Sequence, residues 1–318
     1  MTLPILYDAR LVEQVVLQAA RQLAPESARQ FHLERERAYE IEDPQEREAA
    51  FRGVFSRWFH ALDLGRAMSL ALAEAPTLAR QTRACRVEEA TRARDEGADL
   101  YDLARAALPD ADLTPCDEGP APPRIVFVRI RSQLFLDQAA LLDLLRRELV
   151  HVTDMLDPAF AYERDLPPAE AGPSHDALLR ARYRVLWNVT VDGRLQRRDL
   201  AAQGARDRRH REFCETFAML GDRVRPEFER WWQMTCPTHA CLLDFARHPL
   251  TRDQAGHLTG QCPVCRFPAP VLDPHPERLS EAARRAIEAA HPGWRLESGL
   301  CRQCADLYEA RVGHAIPS

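Results

Sequence analysis

Two cysteine pairs of the form CxxC lie near the C-terminus and constrain this chain more than any other feature. They are CPVC at Cys262 and Cys265, and CRQC at Cys301 and Cys304. Two residues between the thiols let one tight turn present two sulfurs to one ion, and two such turns complete a tetrahedral shell of four thiolates. A closed shell of this kind has no open position for a substrate. We therefore expect Zn²⁺ at these four cysteines, in a structural role.

The stretch between the two pairs is long enough to pack a small module around the metal. It contains a helical pattern over Ser280–Ala290 and a tryptophan, Trp294. A module with so small a core gains much of its folding free energy from the metal. We expect a zinc-ribbon-like or treble-clef-like module over residues 236–318. The alternative is two unrelated CxxC turns, one of them a redox motif.

Composition and charge limit the remaining classes of function. The chain has 318 residues, nine cysteines and a formal net charge of -5, and it contains no lysine. The absence of lysine excludes Schiff-base and P-loop lysine chemistry. No GxSxG, P-loop or GxGxxG motif occurs, and a basic footprint for nucleic acid is not indicated. There is no signal-peptide pattern and no apolar stretch of membrane-spanning length, so we expect no membrane association and a reducing, cytoplasmic location.

Patterning divides the chain into regions. Helical spacing of apolar residues predicts helices throughout residues 10–107, and thus an N-terminal helical region over 1–108. A proline-rich linker follows at 109–123, and then a central region at 124–235. The central region begins with a strand at Ile125–Ile130 and a long amphipathic helix at Asp137–Met155, with Asp137 as its N-cap. The fold class predicted is α+β and mainly helical.

The long helix carries the sequence RELVH, with Arg147, Glu148 and His151 on it. Residues 147 and 151 are one helical turn apart and point the same way. This is the spacing of HExxH, in which two histidines bind zinc and the glutamate acts as general base. Here arginine stands in place of the first histidine, and Asp154 follows three residues after His151.

A second segment, REFCETFA at 211–218, has a pattern similar to ExFAExFA. Together the two motifs resemble those of lethal-factor-type zincin metallopeptidases, over roughly residues 124–220. The resemblance implies a zincin-like core whose third zinc ligand comes from this second helix. One register places Arg211 at the ligand position, and a shift by one residue places Glu212 there. Glu215 is a further potential ligand in the same segment.

If the first register holds, His151 alone survives of three expected ligands, since Arg147 and Arg211 have replaced the other two. A guanidinium stays protonated and has no lone pair for a metal, so such a site does not reliably activate water. The arginines could instead supply the missing positive charge by pairing with Glu148, Glu215 or Asp154. The prediction is a degenerate, non-catalytic relative of metallopeptidases that binds zinc at the cysteines and acts by binding proteins or peptides.

Other interpretations stay open from the sequence. An active zinc metallohydrolase would use Glu148 as base, with ligands drawn from His151, Glu212 or Glu215, and Asp154 or Asp192. RELVH could also be an ordinary solvated helix face, and the chain a regulatory adaptor whose zinc module contacts protein or nucleic acid. The sequence names neither a partner nor an oligomeric state.

For several smaller features of the sequence we expect a structural role and not a functional one. Asp192 precedes Gly193 in VTVDGR and is expected in a turn. Cys236, His239 and Cys241 have ligand-like spacing without an obvious fourth partner, and buried residues at a helix start are the favoured reading. Glu148 with His151 and Glu288 with His291 form two ExxH pairs, but the second lies inside the zinc module, which argues against a di-iron bundle. Isolated thiols are expected at Cys85, Cys116 and Cys214.

Overall fold

The computed structural model describes residues 3–102, 124–166, 173–249, 258–266, 268–272 and 279–313. The predicted linker at 109–123 lies outside the described residues. The chain forms two compact units, Met1–Tyr162 with Arg194–Gln203, and Glu163–Gly193 with Gly204–Ser318. No helix in the described ranges has the length and apolar character needed to cross a membrane.

The first unit contains six helices and a four-stranded sheet within its described residues. Their bounds are β1 (Ile5–Tyr7), α1 (Ala9–Ala20), α2 (Pro25–Tyr39), α3 (Pro44–Ala61), α4 (Arg66–Ala73), α5 (Pro76–Gln81), β2 (Cys85–Glu89), β3 (Gly97–Asp102), β4 (Arg124–Ile130) and α6 (Gln138–Leu156). The helix starts at Pro25 and Pro44 follow from the fixed φ of proline, which suits the first turn of a helix.

The sheet corrects the prediction that residues 10–107 are helical throughout. Strands β2 and β3 lie in that range, and the strand order is β1-β2-β4-β3. β1 and β2, and β2 and β4, pair in parallel, whereas β3 pairs antiparallel with β4. Both missed strands are short, and their neighbours come from distant parts of the chain. Local periodicity therefore could not show them. The strand predicted at Ile125–Ile130 is confirmed as β4.

The same sheet changes the division of the chain. Residues 1–108 and the start of 124–235 were predicted as separate regions, but β1 to β3 pair with one another and with β4 in one sheet. The compact units accordingly divide after Tyr162, not at 109–123. Pairing of backbone groups across the predicted boundary is the physical reason, because unpaired strands would leave their N–H and C=O groups unsatisfied.

The core of the first unit lies between one face of the sheet and the helices. Alternation along β4 turns Val126, Val128 and Ile130 to that face, and each is at most 1% exposed. The apolar stripe of α6 belongs to the same core, where Leu141, Leu145, Leu149 and Val152 are buried. Each fully buried aliphatic side chain of this kind contributes about 1.5–3 kcal/mol. The stripe fixes which face of α6 looks toward the sheet and thereby the direction of its polar residues.

The observed bounds of α6 agree with those predicted from the sequence. Asp137 is the N-cap, and its carboxylate accepts a hydrogen bond of 3.0 Å from the backbone amide of Ala140. Near the C-terminal end, Asp154 is buried and accepts two hydrogen bonds from Arg194, at 2.7 and 2.6 Å. This bidentate pair joins α6 to the segment Arg194–Gln203 of the first unit.

The second unit is built from helices followed by a small hairpin module. Its elements are most of α7 (Pro173–Gln196), then α8 (Ala205–Thr216), α9 (Val224–Gln233), α10 (His239–Arg247), β5 (Leu258–Gln261), β6 (Pro268–Leu272), α11 (Glu281–Ala290) and α12 (Arg302–Gly313). Rings from α8, α9 and α10 pack together, as in the contact of Trp231 with Phe245 at 5.2 Å between centroids. β5 and β6 pair antiparallel.

The turn predicted at Asp192 and Gly193 is wrong, because both residues lie inside α7. The sequence VTVDG has β-branched residues and a glycine, which disfavour a helix locally. Tertiary packing outweighs this preference. An added Cβ at Gly193 would lie 2.1 Å from the carbonyl oxygen of Trp232 in α9, so only glycine allows the two backbones to approach this closely.

We expect Gly193→Ala to destabilise the second unit by about 1–3 kcal/mol, because the new methyl group must push α9 away. Gly53→Ala in α3 is the matched control, since its Cβ would meet only the end of Arg57 at 3.5 Å. The control should be neutral or stabilising by up to about 1 kcal/mol from helix propensity. Urea-induced unfolding followed by far-ultraviolet circular dichroism measures both. Equal effects of the two substitutions would contradict the close approach.

Candidate metal centre

The two CxxC pairs are presented by two different kinds of element. Cys262 and Cys265 lie in the turn that joins β5 to β6, and Cys301 and Cys304 lie at the start of α12. The turn closes with a hydrogen bond of 2.7 Å from the amide of Arg266 to the carbonyl of Cys262, and Arg266 has φ +59°. Cys304 lies within the first turn of α12, where the positive end of the helix dipole favours a thiolate.

The four sulfurs form a compact cluster of the size that zinc requires. All four lie within 4.8 Å of one another. Cys262 Sγ and Cys304 Sγ are 3.9 Å apart, and Cys265 Sγ and Cys301 Sγ are 3.8 Å apart. A tetrahedron with Zn–S bonds of about 2.3 Å has sulfur–sulfur edges of about 3.8 Å, whereas a disulfide bond measures about 2.05 Å. The four-cysteine cluster therefore fits a metal ion and not a pair of disulfides.

The electrostatics of the four thiols also favour a bound cation. Burial alone raises the pKa of the Cys262 thiol, but hydrogen bonds from the amides of Cys265, Cys301 and Val264 outweigh it, and the pKa falls to about 7. Burial raises the pKa of the Cys301 and Cys304 thiols, and the neighbouring cysteines raise that of Cys304 further. Four adjacent thiolates repel one another, and a divalent cation at their centre removes that repulsion.

The residues between the two pairs form the core of the module. The predicted helix is confirmed as α11, which Ser280 caps through a hydrogen bond of 3.2 Å from the amide of Ala283. Trp294 is buried, and its indole N–H donates to the carbonyl of Gly299 at 3.0 Å. This bond holds the loop that leads into Leu300 and Cys301. The core residues are Val264, Leu272, Leu279, Ala283, Ile287, Trp294, Leu300 and Tyr308, with the cysteines at its edge.

The upstream set of Cys236, His239 and Cys241 has structural roles at the start of α10. Cys241 completes a capping box with Thr238, whose hydroxyl accepts from the Cys241 amide at 3.1 Å. His239 is buried and lies 2.8 Å from the hydroxyl of Tyr183 through Nδ1. Cys236 is exposed. The prediction of a buried residue at a helix start is confirmed for His239, whereas Cys241 lies at the helix start but is half-buried and Cys236 is exposed.

The residues of α6 that carry the zincin resemblance lie in the first unit. His151 is buried, whereas Arg147 and Glu148 are partly buried. Arg147 Nε lies 3.3 Å from Glu148 Oε1, and Glu148 Oε2 accepts a hydrogen bond of 3.4 Å from the amide of Ala98 in β3. The Glu148 carboxylate therefore contacts a neighbouring guanidinium through one oxygen and the start of the edge strand β3 through the other.

The approach of Glu148 to β3 depends on a glycine. Gly97 has φ +153°, and an added Cβ there would lie 3.2 Å from Glu148 Oε2. A side chain at this position would push the carboxylate from the Ala98 amide. Within the first unit, Glu148 thus pairs with Arg147 and Asp154 pairs with Arg194.

The second motif, in α8, has different surroundings in the second unit. Arg211 and Glu215 are exposed. Glu212 pairs with Arg209 at 2.5 Å, and the same guanidinium pairs with Asp192 at 2.6 Å. Burial lowers the pKa of Arg209, but the two carboxylates outweigh this effect and raise it above its ordinary value. Two of the carboxylates considered as metal ligands therefore form an ion-pair network with one arginine.

The ion pairs of Arg194 and Arg209 were not foreseen. Arg209 and Glu212 are three residues apart on a helix, a spacing that could have indicated the pair. Arg194 and Asp154 are 40 residues apart in sequence, and no local pattern connects them. Cys85 is buried, which raises the pKa of its thiol to about 12. Cys214 is half-buried, and Cys116 lies outside the described residues.

Within the described ranges, the four cysteines are the only group of three or more potential ligands whose donor atoms lie close enough to share one ion. No protein-family model matches the chain, and no curated protein or solved structure matches it. The assignment of the four-cysteine cluster as a metal site thus depends on its geometry alone. The zincin resemblance stays a prediction from two short motifs.

We expect the purified protein to contain one zinc ion per chain, measured by inductively coupled plasma mass spectrometry. Cys262→Ser removes one of four thiolates and should leave the protein nearly free of zinc after dialysis against a weak chelator. Cys236→Ser is the matched control, because it removes an exposed thiol outside the four-cysteine cluster. Retention of zinc by Cys262→Ser, or its loss in Cys236→Ser, would contradict the assignment.

Proposed function

We propose that this protein binds one structural zinc ion at the four-cysteine cluster, and that it acts by binding protein or peptide segments. On this proposal the region 124–235 is a degenerate metallopeptidase-like core without catalytic activity. The observation that carries the proposal is the four-cysteine cluster, whose sulfurs lie within 4.8 Å of one another. A shell of four thiolates is closed, so the metal serves folding and not substrate activation.

The elements that carry the cysteines favour a treble-clef-like module over a zinc ribbon. One pair comes from the turn of the β5–β6 hairpin and the other from the N-terminal turn of α12. A ribbon would draw its second pair from another hairpin. The module has a short hairpin and two helices around a small apolar core, so the zinc–sulfur bonds are expected to supply much of its stability.

Arg147 is the first residue that disfavours catalysis. It stands at the first ligand position of the HExxH-like motif, and a protonated guanidinium offers no lone pair to a metal. Its side chain instead pairs with Glu148, the residue that would act as general base. A base whose two oxygens are hydrogen-bonded to an arginine and to the Ala98 amide is engaged within the fold and is not directed at a substrate.

The ion pairs of the first unit support a salt-bridged core in place of a metal site. Arg147 pairs with Glu148, and Arg194 pairs with the buried Asp154. The predicted participation of Arg211 and Glu215 lacks this support, since both side chains are exposed. The positive charge that compensates Asp154 comes from Arg194, a residue outside both motifs.

Removal of zinc should unfold the C-terminal module and spare the first unit. Titration with a strong chelator at pH 7.5 is expected to raise amide hydrogen exchange in α12 and in the turn at 262–266, because the cluster then carries adjacent thiolates without a cation. Exchange in α6 and β4, which belong to the other compact unit, should remain slow. Unchanged exchange in α12 after zinc loss would rule out a structural role.

A matched pair of substitutions tests the salt-bridged core. Asp154→Asn leaves Arg194 without its bidentate carboxylate partner and should destabilise the first unit by about 2 kcal/mol, since Arg194 retains some contact with solvent. Asp102→Asn breaks an ion pair with Arg124 whose side chains are about half exposed, and it should cost under about 1 kcal/mol. Thermal unfolding of both variants provides the comparison.

Zinc content after His151→Ala separates the proposal from an active metallohydrolase. The proposal expects one zinc per chain with and without His151. A second zinc in the wild type that disappears with His151→Ala, together with peptide hydrolysis abolished by Glu148→Gln, would establish the active enzyme instead. Glu148→Gln distinguishes the two hypotheses. The proposed non-catalytic core should lose stability, whereas an active enzyme should lose turnover and remain folded.

A further inference from the structure

Strand β1 lies at an edge of the sheet, and the backbone groups of every second residue face away from the sheet. The amide of Cys85 donates to the carbonyl of Pro4 at 2.8 Å, and the amide of Asp8 donates to the carbonyl of Val87 at 2.9 Å. In a parallel ladder the residues alternate in direction, so the N–H and C=O groups of Ile5 and Tyr7 point away from β2. No other strand in the described ranges pairs with this edge.

Residues of β1 line a cavity together with helices of the first unit. It has a volume of about 790 Å³ and is bordered by β1, α1, α3 and the start of α4. A second cavity of about 210 Å³ continues it toward α4 and α5, and the two share Leu3, Ile5 and Ser69. We call the two together the β1 groove.

The floor of the β1 groove is aromatic. Tyr7, Phe51, Phe55 and Phe59 line the larger cavity. The ring of Tyr7 packs against Phe59 with 4.9 Å between centroids. The hydroxyl of Tyr7 is buried and has no hydrogen-bond partner within the described ranges. An unsatisfied buried hydroxyl is costly, and a ligand that supplies a partner would remove that cost.

The rim of the β1 groove carries both positively and negatively charged side chains. Arg10 and Glu13 come from α1, and Glu48 and Arg52 come from α3. All four are exposed, and none forms an ion pair within the part of the chain that the structure describes. A rim of unpaired charges around an apolar floor is the arrangement found where one protein receives a segment of another.

We propose that the β1 groove binds an extended peptide segment of a partner protein, which adds as a strand beside β1 and places a large apolar side chain in the aromatic cavity. This inference rests on the proposed function only in that the chain acts by binding. Main-chain hydrogen bonds to Ile5 and Tyr7 would supply affinity, and the cavity would select the side chain.

The surroundings of the strand favour a thin peptide over a second copy of this chain. Helices α1, α3, α4 and α5 all contribute to the walls, so β1 lies at the bottom of a cleft. A second copy would bring its own flanking helices against these walls. A single extended segment needs only about 5 Å of width to pair with the edge.

The test uses the full zinc-loaded chain and a displayed library of random linear 12-residue peptides. Selected peptides are synthesised, and amide hydrogen exchange of the protein is followed by nuclear magnetic resonance with and without them. The amides of Ile5 and Tyr7 should exchange about tenfold or more slowly with peptide. The amide of Asp8 is the internal control, because it already donates to Val87. Protection elsewhere in the chain, or a library without binders, would overturn the proposal.

A matched pair of variants tests the same groove by affinity. Ser69 is exposed and lines both cavities, so Ser69→Trp should fill the groove and weaken peptide binding by about tenfold or more. Leu70→Trp is the control, since Leu70 is the next residue of α4, is exposed and does not line either cavity. Its affinity should equal that of the wild type.

Two further measurements separate the possible failures. Zinc content in the same samples reports on the proposed function, so lost peptide binding with one zinc per chain rejects the β1 groove alone. Light scattering reports on self-association. A dimer that Ser69→Trp dissociates would show that a second copy occupies the groove, and it would overturn the peptide proposal.

Discussion

Burial of the apolar stripe of α6 against the inner face of the sheet is the interaction on which the first unit depends. It requires Leu141, Leu145 and Leu149 on one side and the alternating residues of β4 on the other. Once that face is buried, the direction of every other side chain of α6 follows from the helical period. Glu148 reaches the start of β3 and Asp154 reaches Arg194 for this reason. The polar arrangement is thus a consequence of apolar packing.

The C-terminal module depends on a different balance. Its apolar core is small, and four thiols converge at its edge with sulfur–sulfur distances near 3.8 Å. In the absence of a cation, burial and mutual repulsion keep part of the cluster protonated. A metal converts the same four groups from a source of repulsion into the tie between the β5–β6 hairpin and α12. Folding of the module and metal binding are therefore expected to be linked.

Arginine pairing accounts for several carboxylates in and near the segments that resemble zincin motifs. In a chain without lysine, every strong cationic side chain is a guanidinium, which pairs with carboxylates in a bidentate geometry. Arg147, Arg194 and Arg209 each pair with a carboxylate that could otherwise serve as a metal ligand or base. The proposed loss of catalysis follows from these pairs. The β1 groove, proposed as a peptide site, borders the edge strand opposite β3.

The sequence by itself determined the local features. The CxxC spacing indicated the cysteine cluster, the Ser280–Ala290 pattern indicated α11, and Asp137 indicated the start of α6. These features depend on residues a few positions apart, so their geometry is contained in a short stretch of chain.

Only the tertiary structure decided the features that join distant residues. It placed β2 and β3 in the region expected to be helical, and it set Asp192 inside α7. It also supplied Arg194 as the partner of Asp154 and left the edge of β1 open. Each depends on packing or pairing between segments far apart in the chain, and such contacts leave no periodic trace in the residues on either side.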